Sequence, residues 1–299
     1  MQKALVNVNG EICEPSQAKA AVFDRGFLYG DSLYEVVRTY GGRPAFVKEH
    51  LERLERSAEL CHMKLSQPLE LYAREMGKTI DAFRKLSGEG SSEVYCRLIV
   101  TRGVGRIGFG LPCVETPSQY FVIAQRLDPP TAEQFAQGFH YQIAPGRLRN
   151  HPRALDPAMK SGNYLNSLLA YLEAAAEPHG FDDALLCNAD GHLTEGTTFN
   201  LFYARRGIVA TPPLDIGILD GITRRETIKL AEGLGIEVRE IRFPKDRLYE
   251  ADEVFMTSTI KEVFPVTRLD GRKIAGGKPG PITRKLAKAF TERALKGLS

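Results

Sequence analysis

"DPAMKSGNYLNSLLA", residues 156–170, places a single lysine ahead of a helical pattern. From Tyr164 onward the apolar residues Tyr164, Leu165, Leu168, Leu169 and Leu172 recur at helical spacing. Pro157 and Gly162 keep the preceding stretch out of a helix. Lys160 therefore lies in a shaped loop, just ahead of a helix predicted to be buried. An ammonium in that place is either a solvated surface charge or an amine set up for chemistry. The positive end of a helix N-terminus disfavours an ammonium, and partial burial acts in the same direction. A neutral amine can attack a carbonyl and form a Schiff base.

The chain has 299 residues, enough for two domains. With 43% hydrophobic and 26% charged residues it has the composition of a globular protein with ample core material. Its net charge of +3 comes from 40 basic and 37 acidic residues, scattered along the chain, which argues against a nucleic-acid partner. Cys13, Cys61, Cys96, Cys113 and Cys187 are widely spaced and form no CxxC or Cys/His pattern, so no metal site is expected. Cys96 and Cys187 lie in apolar runs and read as core residues. This cysteine usage fits a reducing compartment. "MQKALVNVNGEICEP" alternates like a strand and has no signal-peptide core, and no run approaches the length of a membrane span. The expectation is a cytoplasmic protein without a membrane partner.

"KALVNVNGEIC" reads as a hairpin turning at Asn-Gly, and "SLYEVVRTYGGRPAFV" repeats the device with Gly41-Gly42. "KEHLERLERSAELCHM" is an amphipathic helix with Leu51, Leu54, Ala58 and Cys61 on one face. A second helix, "LELYAREMGKTIDAFRKL", and two strands, "SEVYCRLIVTRG" and "SQYFVIAQRL", complete an α+β unit over residues 1–126. "LDPPTAEQ" supplies a predicted linker, 127–134, before a larger domain, 135–299, that mixes strands with helices. There "NADG" turns between two strands.

Further residues accompany Lys160. In "DGHLTEGTTFNLFYA" Glu195 is either a solvated loop charge or a carboxylate for a ring N–H⁺, beside the small polar surface of Gly196, Thr197, Thr198 and Asn200. Gly221-Ile222-Thr223 opens a helix, as an ordinary N-cap or as an anion site. Thr257, Ser258 and Thr259 end a strand as a polar turn or a second anion contact. Arg53 lies beside the apolar stripe of the first helix, as a surface charge or an inward phosphate clamp. An amine, a carboxylate for a ring nitrogen and several phosphate donors are together what pyridoxal 5'-phosphate requires.

In order and spacing these motifs resemble the class IV, or fold-type IV, pyridoxal-phosphate aminotransferases over nearly the whole chain. "YGDSLYEVVRTY" resembles the family's N-terminal strand and "HLERLERSA" its phosphate-arginine helix. "KSGNYLNSLLA" resembles its lysine segment, "EGTTFNLF" its ring-nitrogen segment, and "GITR" and "MTST" its phosphate loops. The resemblance implies a smaller N-terminal α/β sandwich and a larger C-terminal mixed α/β pseudo-barrel, in a homodimer or higher homo-oligomer. It implies that Lys160 forms the internal aldimine and then shuttles the proton, and that Glu195 keeps the pyridine nitrogen protonated. Arg53, Ile222, Thr223 and Thr259 would bind phosphate, and Tyr164 would lie by the ring hydroxyl.

Tyr95 and Arg97, two apart on a strand, share a face. The pair resembles the Tyr-x-Arg of branched-chain amino-acid aminotransferases, as does "GNY" after the lysine. With Tyr29, Tyr34, Arg38 and Ile260 it would line the substrate pocket. The implied reaction is ping-pong transamination between an L-branched-chain amino acid and 2-oxoglutarate. "FDRGFLYGDSLYEV" is equally similar to the D-amino-acid aminotransferase and aminodeoxychorismate lyase branches, which remain the alternatives.

Overall fold

Asn9 and Gly10 take positive φ, 51° and 103°, and their turn joins β1 (Ala4–Val8) to β2 (Glu11–Cys13) as the Asn-Gly pair predicts. The computed structural model describes residues 3–88, 92–178 and 180–297. They fall into two units, each with its own sheet and core.

In the first unit, Gly41 and Gly42, both at positive φ, turn β3 (Ser32–Tyr40) into β4 (Arg43–Pro44). Between β1 and β3 lie β6 (Gln119–Leu127) and β5 (Glu93–Thr101), giving the antiparallel order β2-β1-β6-β5-β3-β4. The strand period sorts the faces. Val94, Cys96, Leu98 and Val100 of β5 are buried, while Tyr95, Arg97 and Ile99 are half-exposed. Against the buried face pack α2 (Val47–Leu60), through Leu51, Leu54 and Ala58, and α3 (Leu69–Ser87), through Tyr72, Met76, Ile80 and Phe83. A short α1 (Arg25–Tyr29) is capped by the Asp24 carboxylate, which accepts from the Gly26 N–H.

This unit runs through Pro129 and also takes in Met159–Asn163 and the chain's end from Ala294. The Tyr34 N–H donates to the Lys160 carbonyl at 3.0 Å, and the Gly162 N–H donates to the Ser32 carbonyl at 2.8 Å. The lysine segment thus lies along the edge of β3, with Ser161 bridging Leu33. A Cβ on Gly162 would stand 2.2 Å from Ser32 Oγ, so the close approach requires glycine there. A division into 1–126 and 135–299 does not describe this arrangement, because strand pairing over a long sequence separation leaves no local mark. Nor is 127–134 wholly a linker. Thr131 and Gln134 form a reciprocal capping box that starts α4 (Ala132–Gln137) inside it.

The second unit carries β7 (Phe139–Leu148), β8 (Asp183–Cys187), β9 (Leu193–Gly196), β10 (Asn200–Arg205), β11 (Ile208–Thr211), β12 (Val238–Glu240), β13 (Glu253–Ser258) and β14 (Glu262–Leu269). Their order is β12-β11-β10-β13-β14-β7-β8-β9, with β15 (Arg272–Lys273) beside β14. Three neighbouring pairs, β11/β12, β7/β14 and β7/β8, are parallel. Tyr141, Leu185, Phe199, Leu201, Met256 and Phe264 belong to its core, with the Tyr141 and Phe199 rings stacked at 4.7 Å. The helices are α5 (Leu165–Ala176), α6 (Ile222–Gly233), α7 (Asp246–Tyr249) and α8 (Pro281–Lys296).

The helix after Lys160 forms where its spacing predicts, but its leucine stripe is not buried. Leu165, Leu168 and Leu172 are 66%, 47% and 50% exposed. Ser167, Ala170 and Ala174 face inward instead, and the two alanines pack with Ala184 and Leu186 of β8. Small side chains allow close approach to a sheet, so periodicity identified the helix and misplaced its buried side. Glu195, expected ahead of a strand, lies within β9 and is buried.

Leu54, 1% exposed between α2 and the sheet, is a direct test of the first core. Leu54→Ala is expected to lower unfolding free energy by about 2–5 kcal/mol in chemical denaturation.

Candidate active site

In the first unit, Lys160 is held by its main chain and its amine. Its N–H donates to Ser57 Oγ of α2 at 3.2 Å, besides the carbonyl contact with β3. Its Nζ donates to the Tyr34 hydroxyl at 2.9 Å and lies 4.3 Å from that ring's centroid. The Arg97 guanidinium sits over the same ring at 4.1 Å. Register explains the grouping. Tyr95 is opposite Arg38, Arg97 opposite Val36 and Ile99 opposite Tyr34, so these side chains share the face turned away from α2 and α3. Arg97 Nε is buried without a hydrogen-bond partner among the described residues. Arg38 is buried and stacks over Tyr40 at 4.5 Å. The Tyr29 hydroxyl accepts from the Gly108 N–H at 3.1 Å, and its ring lies 5.4 Å from that of Phe109.

Arg53 lies on α2, on the other side of this sheet, and it points inward. Its Nε and Nη2 donate to Glu35 Oε1 and Oε2 at 2.8 and 2.7 Å. His50 Nδ1 meets Glu35 Oε2 at 2.7 Å. Burial alone would raise the Glu35 carboxyl, but the charge and hydrogen bonds of Arg53, joined by His50, outweigh it and hold it at about 2. Burial lowers His50, with the Arg53 and Lys160 charges acting in the same sense against Glu35. The imidazole is therefore neutral, and Nδ1–H donates to the carboxylate. Sequence reasoning missed Glu35 and His50. A signal existed: Glu35 interrupts the inward series Leu33, Val37 of β3, and His50 and Arg53 stand one turn apart.

In the second unit, Glu195 is 4% exposed. It accepts from Arg149 Nη2 at 2.7 Å, from Asn200 Nδ2 at 3.0 Å and from the Leu219 N–H at 3.2 Å. Asn200 also donates to the Leu219 carbonyl at 2.9 Å. A Cβ on Gly221 would stand 2.0 Å from Asn200 Oδ1, so the carboxylate's holder and the start of α6 are packed together. Ile222 and Thr223 open α6 and are buried, and the N-cap, Gly221, has no side chain to cap it. Its first-turn N–H groups suit an anion. Thr257, directly opposite Asn200, has a buried hydroxyl without a partner among the described residues. Thr259 and Ile260 form the half-buried turn after β13, and the half-buried Tyr164 precedes α5. Arg149 gave no sequence signal, whereas Asn200 opens an otherwise apolar strand.

A buried carboxylate fits a ring N–H⁺. An uncapped helix start beside an unsatisfied hydroxyl fits a phosphate, and a held lysine amine fits an aldehyde. These are the polar groups of pyridoxal 5'-phosphate. Among the described residues no cluster of three or more His, Cys, Asp or Glu could hold a metal ion, and no helix is long and apolar enough to cross a membrane.

Residues 32–269 match the amino-transferase class IV family, and the chain belongs to it. A Methanocaldococcus jannaschii relative, provisionally named a branched-chain-amino-acid aminotransferase, is 38% identical over 96% of this chain and 95% of its own. A Staphylococcus aureus (strain N315) D-alanine aminotransferase is 34% identical over 95% of each. The solved Thermobaculum terrenum branched-chain amino acid aminotransferase, in its PLP-form, superimposes with a TM-score of 0.83 at 27% identity, covering 99% of this chain and 95% of that one. The fold is that of the fold-type IV enzymes, and the protein is an aminotransferase of a pyridoxal-phosphate-dependent family.

Two measurements bear on this geometry. Gly221→Ala should displace Asn200 and weaken pyridoxal 5'-phosphate binding by at least about tenfold in a spectroscopic titration, with far-ultraviolet circular dichroism unchanged. Glu35 titrates at about 2 in the fold against an ordinary 4.5. Its contribution to stability is therefore complete above pH 4.5 and is lost as pH falls toward 2. Denaturation followed from about pH 6 to about pH 3 should show a smaller loss for Glu35→Gln than for the unaltered chain; equal slopes would contradict the ion pair.

Proposed function

We propose that this aminotransferase moves the amino group of an L-branched-chain amino acid to 2-oxoglutarate in a ping-pong cycle, with pyridoxal 5'-phosphate attached at Lys160. The observation that carries this reading is the Lys160 amine, held 2.9 Å from the Tyr34 hydroxyl on the same face as Arg97. When bound, the cofactor would supply an aldehyde that accepts the amino group and a ring that withdraws electrons from the substrate's α-carbon.

The chain's residues do the rest. Lys160 Nζ would hold the cofactor and would serve as general base for the substrate's α-proton. The Tyr34 hydroxyl orients that amine. Glu195 holds a proton on the ring nitrogen, and Arg149 and Asn200 hold Glu195 in place. Ile222 through its N–H, Thr223, Thr259 and Arg53 bind the phosphate, and Tyr164 lies beside the ring hydroxyl. Tyr29, Tyr34, Arg38, Tyr95, Arg97 and Ile260 receive the substrate, the arginines for its carboxylates and the rings and Ile260 for its apolar side chain. All five cysteines are free, which supports a cytoplasmic setting. The outward leucines of α5 supply apolar surface for a second copy of the chain in a homodimer.

A second reading, D-amino-acid transamination, is favoured by the 34% identity to the Staphylococcus aureus D-alanine aminotransferase. Assays with L-leucine, L-valine and D-alanine, each with 2-oxoglutarate, separate the two. The L-substrates should lead in kcat/KM by at least about tenfold, equivalent to ~1.4 kcal/mol in the transition state. A lead for D-alanine would move the protein to the second reading. Lys160→Ala should lose at least about 1,000-fold in kcat, from combined loss of attachment and general base.

A further inference from the structure

We propose that Glu35 and His50 are positioning residues that aim the Arg53 guanidinium at the cofactor's phosphate. The proposal rests on the reading of Arg53 as a phosphate ligand and adds what fixes its direction.

The Glu35 carboxylate takes Arg53 Nε and Nη2 together, at 2.8 and 2.7 Å. A fork of two parallel hydrogen bonds fixes the plane of a guanidinium as well as its position. His50 meets the same carboxylate at 2.7 Å and so fixes Glu35 in turn. All three side chains are buried on the helix-packed side of the sheet: His50 and Arg53 sit one turn apart on α2, and Glu35 lies on β3. β3 is also the strand along which the lysine segment lies, through the Tyr34–Lys160 hydrogen bond of the residue before Glu35. One strand therefore sets both the amine and the arginine.

Stability alone gives little reason for this arrangement. Replacing a buried ion pair by well-packed apolar residues is often neutral or stabilising. A buried glutamate also draws on the arginine's charge, which an anion ligand would otherwise have in full. What the pair supplies is direction. A guanidinium whose plane a carboxylate already fixes loses little side-chain freedom when it meets an anion. The neutral His50 adds a donor to the carboxylate and no further charge.

The test separates phosphate recognition from everything else the cofactor does. Pyridoxal 5'-phosphate and pyridoxal share the ring and the aldehyde and differ in the phosphate. Cofactor-stripped protein is titrated with each by calorimetry, and the dissociation constant for pyridoxal divided by that for pyridoxal 5'-phosphate is the readout. Glu35→Gln should reduce that ratio by at least about tenfold while the pyridoxal constant stays within about twofold. His50→Ala should reduce it in the same direction by a smaller factor and provides the readout should Glu35→Gln fail to fold. Arg53→Ala is the control. If it collapses the ratio while the Glu35 and His50 variants leave it intact, the positioning proposal is wrong and the phosphate reading of Arg53 stands. If Arg53→Ala leaves the ratio intact, the phosphate reading is wrong and the proposal falls with it. Equal weakening of both ligands in Glu35→Gln would make Glu35 a structural residue only.

Discussion

Two main-chain hydrogen bonds, from the Tyr34 N–H to the Lys160 carbonyl and from the Gly162 N–H to the Ser32 carbonyl, fix the lysine segment within the first unit. They bind a segment from the middle of the chain to a strand near its start. They set where the lysine segment runs against β3. With them Nζ comes to the Tyr34 hydroxyl, and alternation along β3 turns Glu35 to the opposite face. Adjacent residues of one strand thus serve different ends: Tyr34 meets the amine, and Glu35 holds Arg53. Gly162 is part of the same constraint, because any side chain there would meet Ser32.

The second unit reaches its arrangement by packing polar groups against each other inside a sheet. Glu195 is a buried carboxylate, and such a group persists only when donors satisfy it. Arg149, Asn200 and Leu219 donate to it from three places in the chain. Asn200 binds Leu219 as well and leaves no room for a side chain at Gly221. The carboxylate and the start of α6 are therefore parts of one packed structure. If Glu195 and the start of α6 take the proposed cofactor roles, this linkage would hold the two at a fixed separation.

Much of this was legible in the sequence, for identifiable reasons. Hairpin turns at Asn9-Gly10 and Gly41-Gly42 are local, because the backbone there needs positive φ. The amphipathic stripe of α2 is local too. The order of the lysine, glutamate and threonine motifs carried the family, which a single motif could not have done. What stayed hidden was non-local or two-sided. The pairing of the lysine segment with β3 has no signature near residue 160. The helix after it is apolar on two sides, so its period could not say whether leucines or alanines face inward. Glu195 could be read as a loop charge or as a ring-nitrogen partner, and its burial was not visible because its donors Arg149 and Leu219 are far away in sequence. Glu35 was visible as a charge in an apolar strand, yet its meaning depended on two residues of α2.

The proposed cycle turns on Lys160 as the amine that would carry the cofactor. The most direct test is to supply the purified protein with pyridoxal 5'-phosphate, reduce it with borohydride, and locate the modified lysine by peptide mass spectrometry. One phosphopyridoxyl group per chain is expected, on Lys160, and none when the unreduced protein is first converted with an amino-acid substrate. A label on another lysine, or no label at all, would contradict it.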